Sequence, residues 1–172
     1  MSLVRVHNFS VSLDGFGTGD GQSLESPFGH AGTRLHEWFF PTRAFRAMGG
    51  KQGGSTGIDD AFASNWGPGI GAEIMGRNKF GYQRGPWADE DWKGWWGEEP
   101  PFRTPTFVLT HHVRPSIEMK GGTTFHFINA GPEQALAAAR DAAGGLEGLQ
   151  DRFAIESVSS PSGVTHVTFT RR

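Results

Sequence analysis

The sequence predicts an α/β fold: a sandwich on a mostly parallel sheet with an antiparallel end. Two observations predict it. Strand-like and helix-like stretches alternate early in the chain, as expected when strands are joined by crossovers. The chain then closes on two strand-like runs joined by a Pro/Gly turn, a hairpin signature. At 172 residues the chain is long enough for a single domain with a real core. Apolar residues are only 36%, a share depressed by 26 glycines, which point to long loops rather than to a collagen-like repeat.

The first element is a strand over residues 3–11, LVRVHNFSV, with Val4, Val6 and Phe9 inward. A long loop of turn formers follows, SLDGFGTGDGQSLESPFG. Loops beyond about 12–15 residues are usually functional or disordered. TRLHEWFF and TRAFRAM read as two helical pieces separated by Pro41, with Leu35, Trp38, Phe39, Phe45 and Met48 toward the core. GGKQGGSTG is a flexible stretch, and IDDAFASNW a short helix. Ala72 to Met75 is a strand. Residues 81–104 form an irregular insert holding Trp87, Trp92, Trp95 and Trp96. Thr106 to Thr110 is a buried strand, and TTFHFIN at 123–129 alternates as another. PEQALAAARDAA at 132–143 is the strongest helix: Pro132 suits the first turn, alanines dominate and Gly144 can end it. The hairpin RFAIESVSS-PSG-VTHVTFTRR closes the chain.

Bulk properties narrow the function. A net charge of −2 offers no field for nucleic acid. There is no cysteine, so disulfide and thiol chemistry are excluded and a cytoplasmic location is compatible. The N-terminal stretch lacks the apolar core of a signal peptide, and no apolar run is long enough to span a membrane.

Chemistry concentrates at two strand ends. The first runs into Gly76, Arg77, Asn78 and Lys79. Glycine lets backbone approach a ligand. A helix starting at Arg77 would offer free N–H groups to an anion, and Arg77 and Lys79 would add two cations. An ordinary β-turn with exposed basic residues explains the same letters. The second strand ends in Thr110, His111 and His112, then Arg114. Ligands of open α/β sheets sit beyond the carboxyl ends of strands, so both ends would face one phosphate-bearing ligand. The tandem histidines are not expected to hold a metal, because neighbouring strand residues point to opposite faces. Asp59 and Asp60 read as a solvated helix start rather than paired acids. The Trp-rich insert reads either as a small core that pins its own loop or as a wall for a flat substrate, formed by Trp92, Trp95 or Trp96.

SLDG at 12–15, IMGRNKF at 74–80, PTFVLTHH at 105–112 and the TFHFIN…PEQALAAARDAAGG segment at 124–145 resemble, in this order, the dihydrofolate reductase-like family. They resemble above all its branch related to the C-terminal reductase domain of the riboflavin-biosynthesis deaminase-reductase. The resemblance covers most of the chain. It implies a three-layer α/β/α sandwich in one domain over 1–172, NADPH as cofactor, and hydride transfer to a small, planar heterocyclic or carbonyl substrate. It places Gly76, Arg77, Asn78 and Lys79 beside the cofactor phosphates, and Leu109, Thr110 and His111 at the adenosine 2′-phosphate. Ser12, Leu13, Asp14 and Gly15 match the loop beside nicotinamide and substrate, with Asp14 relaying a proton. Homodimers are common in the family, and the Trp surface fits one.

One departure matters. The family pattern continues with a strand, a Gly-Gly turn at the diphosphate, a helix and a strand, whereas AARDAAGG at 138–145 passes straight into LEGLQDRF at 146–153. The missing crossover amounts to roughly 30 residues or more. Three explanations stay open: a segment not represented in the sequence, a real deletion, or divergence with loss of the cofactor. The missing segment is the main support for the alternative expectation, a non-catalytic nucleotide-binding or assembly protein that keeps the fold.

Overall fold

A computed structural model describes residue 4 and residues 10–65, 69–143, 153–161 and 165–171. The chain divides into two compact units. One runs over Gly69–Glu147 and carries the mostly parallel sheet. The other joins Leu3–Pro68 to Gly148–Arg172.

Strand β1 (Glu73–Gly76), β2 (Pro105–Leu109), β3 (Ile117–Glu118) and β4 (Thr124–Ile128) form one four-stranded sheet in the order β1-β2-β4-β3. β1, β2 and β4 run parallel, and only β3 is antiparallel. The register pairs Met75 with Val108 and Val108 with Phe127, and Thr106 with Phe125. Paired residues share a face, so Met75, Thr106, Val108, Phe125 and Phe127 line one side and all are buried. The insert supplies their cover. Phe80, fully buried, meets Phe125 and Phe127 edge-on at 5.0 Å each. Trp87 abuts Phe127 and Trp96 lies over Phe125. Trp87 and Trp96, both half-buried, therefore pack on the sheet, as the small-core reading of the insert expects.

Helix α3 (Arg77–Phe80) is a single turn leaving β1. Helix α4 (Pro132–Ala142) packs on β1 and β2 and buries Ala135 and Ala139. Its start is fastened by Gln134, whose side-chain oxygen accepts the Gly131 N–H at 3.3 Å. Small alanines let the helix sit close to the chain ahead of β1: a Cβ on Gly71 would lie 2.8 Å from the Ala143 Cβ.

In the other unit, TRLHEWFF gives only a 3-10 turn, Gly32–His36, entered through Ala31 in the left-handed region (φ 56°). Helix α1 (Arg43–Met48) starts at the buried Thr42, whose hydroxyl accepts the Phe45 N–H at 3.1 Å. Phe45 and Met48, expected in the core, are 37% and 44% exposed. Helix α2 (Ile58–Ser64) packs against α1. Asp60 is not a solvated helix start: it is buried, accepts the Ala44 N–H at 2.8 Å and pairs with Arg43 at 3.4 Å. Its carboxylate thus caps the first turn of α1.

Strands β5 (Phe153–Ser159) and β6 (Thr165–Arg171) pair antiparallel as the predicted hairpin, but as a two-stranded sheet of their own. His166 of β6 is buried between Phe62, stacked at 4.3 Å, and the edge of Trp38 at 4.8 Å. It meets Asp59 at 2.8 Å, so Asp59 also has a structural partner.

Several expectations fall outside the described residues: most of the first strand including Val6 and Phe9, Trp66, the helix stop at Gly144, the junction at 145–146 and the Ser162–Gly163 turn. The described Val4 is 39% exposed rather than inward. The architecture is mixed α/β with a mostly parallel sheet. Among the described residues no helix is long and apolar enough to cross a membrane.

Candidate functional site

Parallel strands that end side by side leave their last carbonyls and the following loops at one edge. Gly76 and Leu109 are register partners at the ends of β1 and β2, and Leu109 pairs onward with Ile128 at the end of β4. A cleft of about 370 Å³ opens there. From β1 and α3 it takes Arg77 and Asn78, from β2 Leu109, Thr110, His111 and His112, and from β4 Asn129 and Ala130. The insert adds Gln83, Arg84 and Gly85. Among the described residues the lining includes two arginines and no carboxylate, so the cleft favours an anion.

Arg77 is held from two sides. Its Nη1 donates to the Thr110 hydroxyl at 3.1 Å, and its guanidinium lies over the Trp87 ring, 3.4 Å from the centroid. Thr110 is itself buried and tied to the His112 backbone, accepting its N–H at 3.1 Å and donating to its carbonyl at 3.3 Å. Trp87 donates its indole N–H to the same carbonyl at 2.6 Å. Burial, and then the charge of Arg114, push the Arg77 guanidinium below its ordinary value; an arginine stays charged through such a shift. The Nε and Nη2 atoms of Arg77 are buried with no hydrogen-bond partner among the described residues.

Gln83 is the second fixed donor. It is 7% exposed. Its Oε1 accepts the Ala88 and Asp89 N–H groups at 3.0 and 3.1 Å, which orients the amide and leaves Nε2 buried and unpartnered among the described residues. His111 lines the exposed side and its Nδ1 lies 3.4 Å from the Asn129 Oδ1.

The predicted residues thus separate into groups. Arg77, Asn78, Thr110 and His111 come together at the cleft. Gly76 precedes it in an extended conformation (φ −75°) open to any residue, so no special turn needs glycine there. A Cβ added there would meet nothing within 4 Å, so space does not require glycine either. A one-turn helix has little dipole, so the anion argument passes from α3 to the side chains. Lys79 is exposed and does not line the cleft. Arg114 does not line it either: its guanidinium donates to the Trp92 carbonyl at 3.2 Å and to the Glu90 carbonyl, and lies 4.9 Å from the Trp87 centroid. Trp92 and Trp95 pack on each other at 4.9 Å and on Tyr82, away from the cleft lining. The Trp92 indole donates to the Phe80 carbonyl at 3.1 Å. Ser12 and Asp14 lie in the other unit. There Ser12 donates to the Asp14 carboxylate at 2.5 Å and accepts the Phe16 N–H at 3.0 Å, with Gly15 at φ 91° completing the turn.

Gln83, Arg84, Trp87 and Asn129 were not singled out for this site from the sequence. Asn129 follows from the same strand-end rule applied to β4. Gln83 carries no sequence signal, because its role depends on how the insert folds back. No protein-family model matches the chain, and no curated protein matches it.

Proposed function

We propose that the chain is an NADPH-dependent reductase of the dihydrofolate reductase-like kind. The cleft at the ends of β1, β2 and β4 would take the phosphate-bearing part of the cofactor. One observation carries this reading: a carboxylate-free cleft with two arginines sits at the carboxyl edge of three parallel strands. The donors present fit a phosphate, since Arg77 keeps a two-nitrogen edge without a partner among the described residues and Thr110 fixes its orientation. When bound, the cofactor supplies hydride to a small planar carbon acceptor. The chain binds and orients: Arg77, Asn78, Thr110 and His111 hold the nucleotide, and Asp14 relays a proton to the substrate. A non-catalytic nucleotide-binding protein is the second reading. It is favoured by Asp14, an exposed carboxylate already bonded to Ser12 within its own turn.

The test is a calorimetric NADPH titration together with NADPH oxidation across pterins, pyrimidines and quinones. The reductase reading expects binding and turnover, with Asp14→Asn lowering turnover about a hundredfold or more at unchanged NADPH affinity. Binding without turnover selects the second reading, and a chain that binds no NADPH defeats both.

A further inference from the structure

The geometry points to Gln83 as an anion-binding residue of the cleft. Its side-chain amide and the free edge of Arg77 together grip one phosphate group. This inference rests on the nucleotide-binding reading above and adds a residue and a ligand contact to it.

Three buried nitrogens lack a hydrogen-bond partner among the described residues and belong to side chains lining one cleft: Arg77 Nε, Arg77 Nη2 and Gln83 Nε2. All three are donors. Unsatisfied buried donors are uncommon and call for an explanation at each site. Here the neighbouring acceptors are already committed. The Thr110 hydroxyl accepts from Arg77 Nη1 and from His112, and Gln83 Oε1 accepts twice from the backbone. The three remaining nitrogens are all donors, and an acceptor-rich group can satisfy them together. The Nε–Nη2 edge of arginine matches two oxygens of a phosphate in parallel. Gln83 adds a neutral donor, so it strengthens the grip on an oxyanion without adding charge.

Both donors are fixed before any ligand arrives. Arg77 is clamped by Thr110 and by the face of Trp87, and Gln83 is clamped by Ala88 and Asp89. Fixed donors give up little freedom on binding. Their burial also strengthens the attraction to an anion relative to water.

The clamp on Gln83 makes the experiment selective. Gln83→Glu keeps an oxygen for the Ala88 and Asp89 N–H groups but replaces the free donor with an acceptor. Gln83→Met removes both functions. Calorimetry with NADPH, NADH and inorganic phosphate, beside thermal melts, reads the outcome. Gln83→Glu is expected to lower the melting temperature at neutral pH, because it puts a charge into a site only 7% exposed, and to weaken NADPH binding about ten- to a hundredfold. Gln83→Met is expected to weaken binding and also to lower the melting temperature. In the unmutated protein, the Gln83 side-chain amide resonance is expected to move on NADPH addition, a readout that needs no variant to fold. Weakening confined to NADPH assigns the contact to the 2′-phosphate. Equal weakening for NADPH and NADH assigns it to the diphosphate. Unchanged affinities in folded variants, or an unmoved amide resonance, overturn the inference while leaving nucleotide binding intact. A wild-type chain that binds none of the three probes overturns both.

Discussion

At the scale of single residues, burial sets the behaviour of Glu73 on β1. Removal from water raises its carboxyl above the ordinary 4.5, and Lys79 partly opposes the rise. A carboxyl with a raised folded-state pKa binds its proton more tightly in the folded chain than in the unfolded one. Stability from this group is then full below the ordinary carboxyl range and is lost as pH rises through the folded-state value. Glu73→Gln should therefore raise the melting temperature at neutral pH and do little near about pH 3.5, where both states are protonated. An equal shift at both pH values would assign the effect to packing instead. Individual residues were also where the sequence was least informative. Arg77, Thr110 and His111 were legible because a strand end is a local signal. Gln83 was not, since its oxygen is engaged by backbone five and six residues later. Asp59 and Asp60 read as solvated because a helix start usually is. Their partners, His166 and Arg43, lie 107 and 17 positions away in the chain.

At the scale of elements, strong periodicity survived and short pieces did not. β2, β4 and α4 lie within a residue or so of their predicted bounds, because an apolar run or an alanine-rich stretch carries its own preference. β3, two residues after a proline-containing stretch, has no pattern of its own and is made by its partner β4. The 3-10 turn Gly32–His36 stands where a helix was expected, and the chain enters it through a left-handed alanine. Helix α1 has six residues and relies on its cap. Thr42 is fully buried, accepts from Phe45 and donates to the Phe39 carbonyl at 2.7 Å. Thr42→Ala should cost about 1–2 kcal/mol in urea unfolding, and Thr42→Ser less than half as much. Equal losses for the two would show that the methyl group, not the hydroxyl, holds the site.

At the scale of the whole molecule, each unit has its own sheet and its own aromatic cluster. Phe80, Trp87, Phe125 and Phe127 serve one; Trp38, Phe62 and His166 serve the other. That division could not be read from the sequence, in which the second unit interrupts the first without a change of composition. Native-state hydrogen exchange should then reveal two cooperative groups, with β2 and β4 amides opening together and β5, β6 and α2 amides opening at a different urea concentration. A single shared transition would contradict it. The close approach of Gly71 to Ala143 adds a practical corollary. The segment from 69 to 143 begins and finishes at nearly one point in space, as a knot of ribbon does at its neck. Such a piece can be snipped out at its neck, or grafted between two adjoining positions of a foreign host, while its own strands keep their places.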